Sequence, residues 1–258
     1  MTKWDVNAFL GHWPFRKCRY TAWEHLRGEH EKNGISKGFV SSVQSVFWND
    51  PMEAEEELAQ ALQGSGYGQV CTANPRLPHV DRFVAEAVER FDVKAVRICP
   101  TYHGYRLDDA CLEPLGRALV QYGLPLYITV QLEDPRMNYV VSPRTMDVEE
   151  LRAAADVFTQ VNVLYCFLQA GDAAAMADLI NGRDNLYVET SGFRGPSCCL
   201  ESLLGQVDGR KILYGSAYTL YAMQSSLGCV ERADFPDMVK RQILAENAAR
   251  FFQRPSAI

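Results

Sequence analysis

The stretch Val161-Asn162-Val163-Leu164-Tyr165-Cys166-Phe167-Leu168-Gln169 decides the fold. It is an almost unbroken apolar run, without the apolar–polar alternation of a strand that has one face in water. Continuous hydrophobicity over so short a run marks a strand covered on both faces, as in a parallel sheet shielded by helices. Similar runs begin near Trp4 (WDVNAFL), Lys37 (KGFVSSVQ), Gly68 (GQVCTAN), Val93 (VKAVRIC), Leu124 (LPLYITVQ), Asn185 (NLYVET) and Lys211 (KILYGS), so the chain holds eight strand candidates.

Helical patterns fill the intervals. Pro51 to Gln63 has Asp50 as its N-cap, Pro51 at the first position and Glu53 placed to complete a capping box. Val80 to Phe91 repeats apolar residues at three and four, and Leu112 to Tyr122 stops at Gly123. Val148 to Thr159 follows Asp147, with Glu150 three residues on; Ala173 to Ile180, Pro196 to Leu204 and the long amphipathic Pro236 to Phe252 complete the set. Strand–helix alternation repeated eight times predicts an α/β fold, a (β/α)8 TIM barrel, as a single domain over residues 1–258. The competing open doubly wound sheet announces itself by a glycine-rich first turn, whereas here the first strand runs into LGHWPFR. No Pro/Gly/Ser linker, charge block or low-complexity segment divides the chain.

The chain has 258 residues and a formal charge of −6, which gives it no general attraction for nucleic acid or anionic lipid. Its longest apolar runs fall far short of the roughly 20 residues that a membrane helix requires. The opening MTKWDVNAFLGHW carries Asp5 and Asn7 early and has no apolar stretch of signal-peptide length. Cys71, Cys99 and Cys166 sit in strand-like runs, no CxxC pair exists, and the adjacent Cys198 and Cys199 read as packing. These features predict a cytoplasmic protein with free thiols.

Several strand ends carry a further pattern. Asp5 to Gly11 resembles the first strand of the amidohydrolase superfamily, in its amidohydrolase-2 (amidohydrolase-related) branch, where the usual form is D-x-H-x-H. Val96 to Pro100 with Tyr102-His103-Gly104-Tyr105 resembles that branch's fourth-strand exit, and Gly123 to Thr129 resembles G-x-P-x-x-x-H. Leu168 to Gly171 is similar to S-H-x-G, Asn185 to Ser191 to the seventh strand, Tyr214 to Tyr218 to F-G-S-D-x-P, and Ala245 to Phe252 to the closing N-A-x-x-L-F helix. The resemblance implies a metal centre built from two first-strand histidines, histidines ending strands five and six, and an eighth-strand aspartate. The matching positions here are Asn7, Phe9, Thr129, Gln169 and Ala217. Phe and Ala cannot ligate, and neutral amide or hydroxyl oxygens are poor substitutes for imidazole and carboxylate. The sequence therefore predicts no metal and no other cofactor.

In such a barrel, function lies at the C-terminal strand ends. His12 and His103 fall just beyond strands one and four and are the candidate catalytic acid–base groups; the plain alternative is that each bonds a loop carbonyl. His25, His30 and His79 read as surface residues on or near helices. Arg97, a charge inside an apolar strand, must find an acid or an anionic ligand, with Glu189 as its candidate partner. Arg194 precedes a helix expected to open at Pro196-Ser197, where an anion would be favoured. Arg97, Arg194, Tyr102, Gln169, Glu189 and Asn7 are thus the candidate substrate-binding residues, with Tyr105, Tyr127 and Tyr218 as further possible pocket walls. Gln131, Glu133 and Arg136 follow strand five.

Three functions follow. The first is a metal-independent hydrolase or lyase acting on, or binding, a small carboxylated or carbonyl-bearing molecule. The second is a non-catalytic barrel serving as a ligand-binding or interaction protein. The third, ranked last, is a metal hydrolase with relocated ligands such as His12, Glu133, His103 and Glu189. A small-molecule partner is expected, with a homo-oligomer allowed.

Overall fold

A computed structural model describes residues 2–133 and 143–253. Arg136 lies outside the described residues. Eight parallel strands pair in sequence order: β1 (Lys3–Leu10), β2 (Ile35–Ser42), β3 (Gly68–Thr72), β4 (Val93–Ile98), β5 (Leu126–Thr129), β6 (Val163–Cys166), β7 (Leu186–Glu189) and β8 (Ile212–Leu213). The eighth strand meets the first through Val6 N to Tyr214 O at 3.0 Å and Ala217 N to Asn7 O at 2.7 Å. The result is a (β/α)8 barrel, as the sequence predicts.

Alternation along each strand sorts side chains into two cores. Val96, Ile98, Leu126, Ile128, Val163 and Tyr165 face outward and pack under the helices. Ala95, Cys99, Tyr127, Leu164, Cys166 and Leu213 face the barrel interior, with Phe9 and Phe251 in the same cluster. Arg97 falls between Ala95 and Cys99, so the period-2 rule turns it inward.

The helices are α1 (Trp23–Asn33), α2 (Pro51–Leu62), α3 (Val80–Arg90), α4 (Pro100–His103), α5 (Leu112–Tyr122), α6 (Val148–Val157), α7 (Ala170–Ala175), α8 (Ala177–Gly182), α9 (Cys199–Leu204), α10 (Met223–Glu231), α11 (Asp237–Arg241) and α12 (Asn247–Phe251), with short 3₁₀ turns between some elements. Asp50 caps α2 through Met52 N at 2.9 Å, and Asp147 caps α6 through Glu150 N at 2.8 Å. The Glu150 carboxylate is itself buried and accepts from Leu107 N at 3.0 Å and from Arg144 at 2.7 Å, which fastens α6 to the segment before α5.

Some boundaries differ from expectation. The Ala173–Ile180 pattern is two helices parted at Met176, whose backbone leaves the helical region (φ −104, ψ 8). The helix expected from Pro196 starts at Cys199, and β8 is only two residues long. The Pro236–Phe252 helix carries a π turn at Gln242–Glu246 between α11 and α12. Helix α1 is not among the helices expected from the sequence. It brings the one reversal among the histidines: His30 is fully buried, not on the surface, because its ring turns inward onto Asp5.

All eight cysteines are free thiols. Among the described residues no helix is long and apolar enough to cross a membrane.

Candidate functional site

At the C-terminal strand ends an inner polar layer lies beneath an aromatic one. Asn7 is the node of the inner layer. Its backbone N–H donates to Asp5 Oδ1 at 3.0 Å, its Nδ2 donates to Glu189 Oε1 at 3.1 Å, and its Oδ1 accepts from Arg97 Nη2 at 2.7 Å. A register shift between Asp5 and Ala8 on β1 lets neighbouring residues of this strand serve both sides of the barrel wall.

Arg97 is fully buried. Its Nε donates to Ser41 Oγ at 2.8 Å and its Nη1 to Thr129 Oγ1 at 2.7 Å. The guanidinium carbon also lies 4.6 Å from the Phe9 ring centroid and 5.2 Å from that of Tyr127. Glu189, the expected partner of Arg97, does not pair with it directly: the Asn7 amide stands between the two. Glu189 in turn accepts from Phe167 N at 2.7 Å and from the N–H and hydroxyl of Ser191, each at 2.5 Å. Desolvation pushes the Glu189 carboxyl above its ordinary range, opposed by those hydrogen bonds and by the charge of Arg194.

Asp5 holds the other side. Ser216 donates to it through N–H (2.9 Å) and hydroxyl (2.5 Å), and His30 Nε2 lies 3.1 Å away. The second His30 nitrogen meets the Tyr67 hydroxyl at 2.9 Å. Gly38 makes room for this chain, since a Cβ there would lie 2.4 Å from the Tyr67 ring.

Above the inner layer, Trp13 packs edge-on against Phe47 (5.3 Å), Phe15 (5.8 Å) and Tyr102 (6.2 Å). Arg194 is exposed, and its guanidinium lies 3.1 Å over the Tyr221 ring centroid and 5.7 Å from that of Phe167. Arg16 crosses the mouth, donating to Glu133 Oε1 at 2.7 Å and to Leu220 O at 2.6 Å. Burial pushes the Tyr102 phenol well above its ordinary pKa and keeps it neutral. Tyr105 and Tyr127 are buried, each with a hydroxyl lacking a partner among the described residues.

The two candidate catalytic histidines occupy different surroundings. His103 ends α4 and is half-buried; its Nε2 donates to Val46 O at 3.0 Å, and its buried Nδ1 has no partner among the described residues. Burial lowers its pKa, so the ring is neutral at neutral pH. His12 is exposed and lines a lateral groove of ≈ 500 Å³ with Thr21, Trp23, Gln44 and Glu57, between the β1 and β2 exits and helices α1 and α2. Gln169 is exposed at the start of α7.

The residues present do not fit the family's metal. Asn7 and Thr129 already receive hydrogen bonds from a guanidinium, Phe9 offers it a ring, Ala217 is buried and Gln169 faces solvent. Among the described residues no three His, Cys, Asp or Glu side chains converge to hold an ion, the relocated set of His12, Glu133, His103 and Glu189 included. Sequence reasoning named Asn7, Arg97, Thr129 and Glu189 but missed Ser41, Trp13, Phe47, Phe167 and Tyr221. Hydroxyl and ring side chains carry no signal in one sequence that separates a mouth from a core.

Solved structures share the fold over nearly the whole chain. A putative amidohydrolase from Staphylococcus aureus superposes with a TM-score of 0.74 at 12% identity, covering 98% of this chain and 99% of that one. The 5-carboxyvanillate decarboxylase of Sphingomonas paucimobilis gives 0.73 at 14% identity, with 98% and 99% covered. A dihydroxybenzoic acid decarboxylase from Polaromonas sp. JS666, solved with bound manganese and the inhibitor 2-nitroresorcinol, gives 0.74 at 13% identity, with 97% and 96% covered. No curated protein matches the sequence. The family model described as amidohydrolase matches residues 39–254, which reaches from the second strand to the last helix. This chain belongs to the amidohydrolase family, in its amidohydrolase-2 branch.

Proposed function

We propose that the chain binds a small carboxylated or carbonyl-bearing molecule at the barrel mouth, with its own side chains and no catalytic metal. Arg194 carries this reading. It is an exposed cation whose guanidinium carbon lies 3.1 Å from the Tyr221 ring centroid, and no carboxylate of the described residues is hydrogen-bonded to it. Such a guanidinium offers its edge to a carboxylate while the neighbouring rings accept an aromatic body. Gln169 and Tyr102 belong to the same end of the barrel, and Asn7, Arg97 and Glu189 fix the layer beneath. Two fold neighbours are named for small aromatic carboxylates, which supports the same ligand class. The free thiols fit a reducing cytoplasm.

Turnover without a metal is a second reading, favoured by His103. Its Nε2 proton is committed to a carbonyl, so the unpartnered Nδ1 is a neutral base on a ring stacked 6.4 Å from that of Tyr105. Thermal shift against a panel of substituted benzoates, with product analysis of the same mixtures, tests both. A melting-temperature rise that Arg194→Gln abolishes supports binding. Product formation lost in His103→Gln adds catalysis. No shift from any carboxylate defeats the proposal.

A further inference from the structure

We infer that the Arg97 guanidinium is the resident cation of this barrel, joining by hydrogen bonds the strand ends that the family resemblance assigns to a metal ion. Of the five resemblance positions, Asn7 and Thr129 accept from it at 2.7 Å each, and the Phe9 ring lies 4.6 Å from its carbon. Ser41 accepts its Nε at 2.8 Å. One side chain on β4 thereby fastens β1, β2 and β5.

Charge and coordination both follow from this placement. A guanidinium does not lose its proton at any working pH, so it cannot make way for a second cation as a lysine or histidine can. A divalent ion among Asn7, Thr129 and Glu189 would face a fixed positive charge in a region where water does not screen it. The oxygens are already engaged. The Asn7 and Thr129 oxygens take Arg97 protons, and Glu189 takes four donors from Asn7, Phe167 and Ser191. The negative charge that would otherwise draw an ion is instead joined to Arg97 through the Asn7 amide.

Arg97 is thus a positioning residue rather than a catalytic one. Because this cation is covalently part of β4, the inner layer assembles with the chain and depends on no ion supply. The inference goes beyond the proposed function and stands whether or not a carboxylate binds the mouth, because its test reads metal content and melting, not ligand response.

The test begins with the unmodified protein, produced in medium supplemented with manganese and zinc. Elemental analysis should find well under one equivalent of either metal per chain after dialysis, and the melting temperature should not move with EDTA or with added Mn²⁺ or Zn²⁺. Arg97→Met should lower the melting temperature sharply or abolish soluble protein. Thr129→Val, close in volume but without the hydroxyl acceptor, should lower it by less while the fold persists. Near-stoichiometric metal that survives dialysis, a chelator-induced fall in melting temperature, or an unchanged melting temperature in Arg97→Met or Thr129→Val would each overturn the inference.

Discussion

A Cβ placed on Gly215 would lie 2.3 Å from Oε2 of Glu189. The exit of the eighth strand thus runs flush against the buried carboxylate, and the same Cβ would lie 2.9 Å from that of Asn7. Gly215→Ala should destabilise the fold by about 1–3 kcal/mol, the usual cost of overpacking. Urea denaturation reads this directly, and an unchanged midpoint would mean that Glu189 can retreat. Gly192→Ala should cost more, because its Cβ would meet the Leu168 carbonyl oxygen at 2.0 Å and backbone cannot rotate aside.

Removing the node of the inner layer should cost more than its own contacts suggest. Asn7→Ala leaves Arg97 Nη2 and Glu189 Oε1 each short of a partner in a buried region. Breaking a buried charged network typically costs about 3–5 kcal/mol. Equilibrium unfolding of this variant should show that loss, and a change near that of an ordinary surface substitution would refute the bridging role.

His103 gives a pH signature with a defined sign. Its folded pKa lies below its ordinary 6.5 because burial disfavours the charged ring. Around and below that value the unfolded chain takes up a proton that the folded ring resists, so stability drops as pH falls and recovers as pH rises past it. His103→Gln should flatten that part of the melting-temperature profile relative to wild type. Glu189 acts with the opposite sign, since its raised pKa makes stability fall as pH climbs above 4.5. The difference between variant and wild type isolates the histidine.

The Asp5–His30–Tyr67 chain predicts a graded response. Tyr67→Phe removes one hydrogen bond and should cost about 1 kcal/mol. His30→Leu should cost more, because it leaves the buried Asp5 carboxylate without one of its donors. Equal losses in the two variants would argue against the ordering.

Thiol titration should divide the cysteines. Cys198 and Cys229 are exposed and should react with a disulfide reagent in the native protein, whereas Cys71, Cys99 and Cys166 are buried and should react only after unfolding. Burial also raises the pKa of these three thiols, which suppresses the thiolate that reacts.

Much of the barrel was legible because a doubly covered strand writes itself as an apolar run, as Val163–Cys166 and Leu126–Thr129 do, and because such runs alternate with helical patterns. Arg97 was legible as an anomaly for the same reason, since a charge between Ala95 and Cys99 demands an internal partner. What stayed hidden was the identity of that partner. An amide can donate and accept at once, and nothing in Asn7 as a letter says that it joins Arg97 to Glu189. His30 was misplaced because the charged residues around it, Glu29, Glu31 and Lys32, mark an exposed face, and a helix turns a different side chain inward every three or four residues. His12 and His103 share a strand-end address in sequence, but loop geometry sends one to a lateral groove and the other onto the Val46 carbonyl.

The Phe39–Phe252 stack, with centroids 3.7 Å apart, seats a residue that follows the last strand beneath the second one. Phe251 beside it enters the barrel interior against Tyr127 and Tyr187. A ribosome releases those phenylalanines only after all eight strands have emerged. The nascent barrel therefore waits with an open floor until the segment after the eighth strand is made, and a chain broken off between Leu213 and Phe251 would hold every strand yet stay unsealed.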